Sequence, residues 1–194
     1  MTRRDEVWIF DLDGTLTVAQ HDFDGFRRRV GLPEGLPLLE AIALRPAEER
    51  PALLDAVHRW EADLADEAVA SPGARALLEQ LTGSGVPVGI LTRNSRATAR
   101  RTLAAAGLDR YFAEAVVLGR DEATPKPSPD GVLRLLAGWG AHPSRGVMVG
   151  DWRFDLEAAR GAGVRAIWLD LERSGAFADL ADRVIFGLEE LLEG

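Results

Sequence analysis

Asp11-Leu12-Asp13-Gly14-Thr15 sets two carboxylates two residues apart, directly after the apolar run Val7-Trp8-Ile9-Phe10. That run has the length of a buried strand, so both acids can face one pocket as the chain leaves a sheet. Gly14 allows a sharp turn there, having no Cβ. Paired carboxylates can hold a hard cation through oxygen, or divide the roles of nucleophile and acid/base. An acidic surface turn has the same composition, so the pattern gains weight only from the rest of the chain.

Three further clusters supply it. Thr92-Arg93-Asn94-Ser95 offers a hydroxyl and backbone amides that lead into a helix, a setting for anion oxygens and equally for an ordinary helix cap. In Thr124-Pro125-Lys126-Pro127 a lysine lies between two prolines, with the backbone restricted on both sides; its ordinary reading is a solvated loop. Gly150-Asp151-Trp152-Arg153-Phe154-Asp155 carries two acids four apart, which share a face once a helix has begun, or sit on a helix N-terminal dipole.

The elements that must position these clusters can be read from apolar runs. After residues 7–10 they fall at 86–91, 115–118, 146–150 and 165–169, with a weaker one at 183–186. Pro87 belongs at a strand start or bulge. Helical patterns lie between them from residue 72 onward: one after Pro72-Gly73, one N-capped by Ser95 and ended by Gly107, one opened by Pro129, and one from about Asp155 to Ala162. Alternating strands and helices predict an α/β fold, a Rossmann-like parallel sheet in three layers. In an open parallel sheet, ligands sit beyond the carboxyl ends of the strands, where all four clusters fall. Residues 18–71 break the alternation and predict three or four helices with no strand. Phe23, Phe26 and Val30 have helical spacing, as do Leu38, Leu39 and Ile42. The longest helix starts near Pro51, with an apolar stripe through Leu53, Leu54, Val57, Trp60 and Leu64. The predicted organisation is a core of residues 1–17 and 72–194 with a helical cap of 18–71.

Bulk composition narrows the function. The 194 residues are 46% hydrophobic and 28% charged, as in a globule able to bury a core. A net charge of -8 leaves no basic excess for nucleic acid, although a bound cation can still draw an anionic substrate into an acidic site. The chain has no cysteine, which fits a reducing cytosol. Arg3 and Arg4 are followed by Asp5 and Glu6 and then by only four apolar residues, so no signal peptide is expected, and no apolar stretch approaches membrane-spanning length. The expectation is a cytoplasmic protein with a small-molecule substrate, no nucleic acid, no membrane association and no obligate protein partner.

With all four clusters in order, the sequence resembles the haloacid dehalogenase-like superfamily of phosphatases and phosphotransferases along nearly its whole length. Phe10–Leu16, Leu91–Asn94, Lys126-Pro127 and Gly150–Asp155 are similar to its four motifs in turn. The insertion resembles the helical C1 cap of the phosphoglycolate-phosphatase-like and β-phosphoglucomutase-like subfamily, but is small for that type.

The resemblance implies hydrolysis of a small phosphorylated metabolite. Asp11 would be the nucleophile, forming an aspartyl-phosphate, and Asp13 the acid that protonates the leaving alcohol and the base that then activates water. Mg2+ would be held by the Asp11 carboxylate, the Asp13 carbonyl and the Asp151 carboxylate. Asp155 would stand behind these ligands, orienting a metal-bound water or Lys126. Thr92, Lys126 and the backbone amides near Leu12 and Arg93 would bind phosphate oxygens. Superfamily members that cleave carbon–halogen bonds lack an acid at the position of Asp13. Those that cleave carbon–phosphorus bonds use a cap lysine, and residues 18–71 contain none. A phosphomutase and a non-catalytic binding module are the alternatives. Arg27, Arg28, Arg93 and Trp152 are candidate substrate contacts, with His21, Arg29 and Arg45 as further cap candidates; a solvated face is the ordinary reading of each arginine. The short cap predicts loose enclosure and broad specificity.

Overall fold

A computed structural model of the protein describes residues 5–19 and 22–192. Six parallel strands form one sheet in the order β3-β2-β1-β4-β5-β6: β1 (Val7–Phe10), β2 (Val88–Leu91), β3 (Val117–Leu118), β4 (Gly146–Gly150), β5 (Arg165–Leu169) and β6 (Arg183–Ile185). Side chains alternate across β1 and so define two cores. Trp8 and Phe10 face one, with α4 (Ala74–Gly83) and α5 (Arg96–Ala105). Val7 and Ile9 face the other, with α6 (Asp130–Gly138) and α7 (Arg153–Ala162). The layered Rossmann-like α/β architecture is therefore the one the alternating pattern predicts.

Strand limits differ where local chemistry intervenes. Pro87 stays outside β2, yet its carbonyl still accepts from Trp8 N at 2.9 Å. Ala115 and Val116 close a 3-10 turn over Glu114–Val116, leaving β3 only two residues. Ser95 caps α5 as its spacing predicts, its hydroxyl accepting from Thr98 N at 3.1 Å.

The insertion contains α1 (Phe23–Val30), α2 (Leu38–Ala43) and α3 (Arg50–Ala65). Phe26, Leu32, Leu38, Ala41, Ile42 and Val57 form a third apolar cluster. Trp60 stacks on Phe26 with 4.4 Å between ring centroids, so it packs inward as the stripe predicts. The chain leaves the core and returns along paired segments: Val18 N donates to Val69 O at 3.0 Å and Ser71 N to Leu16 O at 2.9 Å. No helix of the described residues is long and apolar enough to cross a membrane.

Candidate active site

The carboxyl ends of the two central strands bring the first and fourth clusters together. Asp11 follows β1, and its N–H donates to Val149 O at 2.9 Å, tying it to β4. Asp151 follows β4. Thr15 Oγ1 donates to Asp151 Oδ1 at 3.2 Å, and Trp168 Nε1 to the Asp151 carbonyl at 3.0 Å. Gly14 has φ of 87°, and a Cβ there would lie 2.4 Å from Asp151 Oδ2. Only glycine allows the two loops this close an approach.

Lys126 joins them from a loop 115 residues away from Asp11 in sequence. Its Nζ donates to Asp11 Oδ1 at 2.5 Å and to Asp155 Oδ1 at 2.6 Å. It is not a solvated loop residue: it is buried, and it is the only lysine in the chain. Asp155 reaches this position from the first turn of α7, where its Oδ2 accepts from Trp152 N at 3.0 Å. Gly150 makes room for it, since a Cβ there would stand 2.3 Å from Asp155 Cβ.

The second cluster adds an orienting group. Thr92 is buried, and its Oγ1 accepts from Asn94 N at 3.1 Å. Asn94 Nδ2 donates to Asp13 Oδ2 at 2.8 Å, fixing a carboxylate 81 positions away. The sequence displayed Asn94 in its motif without revealing this bond.

Burial shapes the protonation of the acids. It pushes Asp13 up to about 6, helped by the charge of Glu61 and opposed by Lys126. It also pushes Asp155 up to about 6, with Lys126 opposing and Asp11 reinforcing. Asp11 is raised by burial against the pull of Lys126. Asp151 is raised well above the usual range by burial, then by the Asp11 and Asp155 charges. Burial alone would lower the Lys126 ammonium, but Asp11 and Asp155 overcome it and hold the pKa up. One ammonium thus faces an excess of carboxylates. Ligand oxygens of Asp11, Asp151 and Asp155 lie within 4.8 Å of one another. An all-oxygen set with uncompensated negative charge fits a hard divalent cation. The Asp13 carboxylate is not part of that set; it is turned to Asn94.

The site opens into a cleft of about 740 Å³, walled on one side by the core loops and on the other by the helical insertion. Arg27, Arg93 and Trp152 line it, as their candidacy requires, whereas Arg28 does not. Arg28 is exposed and lies 3.8 Å from Glu34. Arg27 is already engaged, donating from Nε to Leu36 O at 3.0 Å and from its terminal nitrogen to Asp24 at 2.7 Å. Arg29 lies over the Phe26 ring and Arg45 pairs with Glu49, both away from the cleft. His21 lies outside the described residues.

Arg93 is held from three sides. It donates to both Glu40 oxygens at 2.7 Å and to Lys126 O at 2.8 Å, and its guanidinium lies 4.8 Å from the Phe154 ring centre. Beside it, Arg120 donates to the two Glu61 oxygens at 2.9 and 2.7 Å and to Arg93 O at 2.9 Å. Sequence reading missed Glu40, Glu61 and Arg120. The one available signal was Glu61, four residues after Val57 on the inward face of α3.

Fold and site together define a phosphatase of the haloacid dehalogenase type. The chain belongs to the haloacid dehalogenase-like hydrolase family, whose model matches residues 6–163. It is an enzyme, a phosphoric monoester hydrolase. Among its relatives is a probable phosphatase, IndB, of Dickeya dadantii, 32% identical, with 82% of this chain and 78% of the relative covered. A phosphoglycolate phosphatase of Agrobacterium fabrum is 30% identical over the same shares. The crystal structure of a putative phosphoglycolate phosphatase from Lactobacillus plantarum superposes with a TM-score of 0.80 at 22% identity, covering 97% of this chain and 98% of that one.

Proposed function

We propose that the protein is a Mg2+-dependent cytoplasmic phosphatase that hydrolyses small phosphorylated metabolites through an aspartyl-phosphate on Asp11. The observation that carries this reading is the convergence of Asp11, Lys126, Asp151 and Asp155, with Asp13 held separately on Asn94. Asp11, Asp151 and the Asp13 carbonyl would hold the ion. Both Asp155 oxygens have protein partners, which supports an orienting role for that residue. When bound, Mg2+ supplies the charge that offsets repulsion between the Asp11 carboxylate and an incoming phosphate.

The chain's own groups carry the proton and bond changes. A carboxylate oxygen of Asp11 attacks phosphorus, and the bond to the leaving alcohol breaks as Asp13 gives its proton to the alcohol oxygen. An Asp13 raised to about 6 is suited to both halves of the cycle, because it can hold the proton and later accept one. In the second half Asp13 takes a proton from water as that water attacks phosphorus, which releases phosphate and restores Asp11. Lys126 stays charged and balances Asp11 and the transferring oxygens. The Thr92 oxygen accepts from Asn94 N, so its hydrogen remains available for a phosphate oxygen, alongside the amides near Leu12 and Arg93. The helical segment 18–71 acts as a cap over the leaving group.

The test is hydrolysis of p-nitrophenyl phosphate with Mg2+, followed by quench and mass spectrometry. Phosphate on Asp11, and loss of activity in chelator, are expected. Label on another residue, or full activity in chelator, would refute the mechanism.

A further inference from the structure

The leaving-group end of the cleft has a distinctive charge pattern. Four cations line the cleft as a whole among the described residues: Arg27, Arg93, Arg120 and Lys126. Each already faces a carboxylate of the protein. Lys126 belongs to the reacting end. Arg27 is paired with Asp24 inside the cap. The two arginines that the core extends toward the cap, Arg93 and Arg120, are met by Glu40 of α2 and Glu61 of α3. The pairing is close: Arg93 reaches both Glu40 oxygens at 2.7 Å, and Arg120 and Glu61 form a two-point pair that is almost fully buried. Meanwhile two further acids, Asp22 and Glu34, line the same wall. Asp22 is engaged by a backbone N–H, from Gly25 at 2.8 Å, and Glu34 lies 3.8 Å from Arg28. The remaining wall is largely apolar, including Phe23, Leu38 and Val57.

We infer that the leaving group this cleft accepts is uncharged or cationic and not a second anion, because Glu40 and Glu61 of the cap occupy the core arginines that would receive one. The inference rests on the phosphatase reading and adds the class of ester to it. Among the described residues, a substrate carboxylate entering here would meet no open cation. It would have to displace Glu40 from Arg93 or sit beside Asp22 and Glu34, and like charges in a partly desolvated cleft repel strongly. A hydroxylated leaving group pays no such cost, and an ammonium finds acids at the wall. The relatives include proteins named phosphoglycolate phosphatase, whose named substrate carries a carboxylate; this chain departs from that preference.

The experiment compares three esters of one chain length: 2-hydroxyethyl phosphate, O-phosphoethanolamine and 2-phosphoglycolate, ending in a hydroxyl, an ammonium and a carboxylate. Each kcat/KM is measured with Mg2+ on the full chain and divided by that for p-nitrophenyl phosphate. The hydroxyl and ammonium esters should exceed 2-phosphoglycolate by about tenfold or more. Glu40→Gln keeps the side-chain shape and releases Arg93 from its counter-charge, so it should raise 2-phosphoglycolate relative to the hydroxyl ester by about tenfold. Adding Arg93→Met to that variant should remove the gain. Equal or better turnover of 2-phosphoglycolate by the unaltered protein would overturn the inference, as would a ratio unmoved by Glu40→Gln or a gain that survives Arg93→Met. Turnover of p-nitrophenyl phosphate that Asp11→Asn abolishes carries the phosphatase reading independently. If no ester at all were hydrolysed, that reading would fall and this inference with it.

Discussion

The core and the cap use charge in opposite ways. In the core, Lys126 is buried between Asp11 and Asp155, and the acids around it outnumber it. The imbalance leaves room for a cation and a phosphate. Where the cap meets the core the charges are closed: Arg93 with Glu40, Arg120 with Glu61 and Arg101 with Asp66, each an arginine of the core and an acid of the insertion. Chemistry needs unfinished electrostatics, whereas docking and selection are served by finished pairs. If this division holds, core substitutions change turnover of every ester, and cap substitutions change which ester is turned over.

The strongest test removes the nucleophile. Asp11→Asn should lower kcat by about 10³-fold or more on all phosphomonoesters alike, with the circular dichroism spectrum retained. A loss confined to some esters would break the comparison at its root. Asp13→Asn should cost about 10² to 10⁴-fold, with a pattern that depends on the leaving group. p-Nitrophenolate leaves without a proton, so the first half of the cycle survives and phosphate should accumulate on Asp11. A rapid-quench measurement that finds no such accumulation would remove Asp13 from the water-activating role.

Next in size is the buried cap pair. Arg120 and Glu61 have side chains only 7% exposed, and Arg120 Nε makes no hydrogen bond. Glu61 is the acid paired with Arg120 among the described residues, so Glu61→Gln would strand a buried charge, which costs about 3 to 5 kcal/mol for a buried pair. Urea unfolding should show it as a lower midpoint at unchanged slope.

The open charge of the core should appear in the pH dependence of stability. Asp11, Asp13, Asp151 and Asp155 all have raised pKa values in the folded chain, and those of Asp13 and Asp155 reach about 6. A raised acid binds more protons folded than unfolded, so stability falls as pH climbs from its ordinary value toward its folded one. Lys126 is raised instead, and its contribution is constant well below its ordinary value of 10.5. The chelator-treated protein should therefore lose stability as pH rises from about 4 to about 6, and millimolar Mg2+ should restore it by mass action, about 2.7 kcal/mol at a hundredfold excess over Kd. A midpoint that rises with pH in chelator would contradict this account.

Which of these features the sequence displayed follows from how far each interaction reaches. The six strands and the three cap helices could be read because apolar periodicity is local. β3 shrank to two residues because a 3-10 turn at Glu114–Val116 consumes its start, and periodicity is blind to such turns. The four core clusters could be read because each is a short motif at a strand end. Glu40 and Glu61 could not, since they meet their arginines from 53 and 59 residues away and carry no motif. Arg93 looked available for a substrate for the same reason: the residue that occupies it is invisible in its own neighbourhood.

The smallest effects on stability are expected at the two remaining cap–core pairs, and they separate docking from selection. Arg93 and Glu40 are 21% and 43% exposed, and Arg101 and Asp66 are 51% and 55% exposed. Exposed pairs contribute little because water screens them and ordering two long side chains costs entropy. Glu40→Gln and Asp66→Asn should each therefore shift the urea midpoint little, Asp66→Asn least. Their effects on substrate choice should nevertheless differ. Glu40 holds a cation that lines the cleft, whereas neither Asp66 nor Arg101 lines it. Glu40→Gln should change the ratio between carboxylate and hydroxyl esters, and Asp66→Asn should leave that ratio where it was. Equal changes from both would mean that the ratio reports how firmly the cap is held down, and selection would then belong to cap closure as a whole, not to the charge standing opposite Arg93.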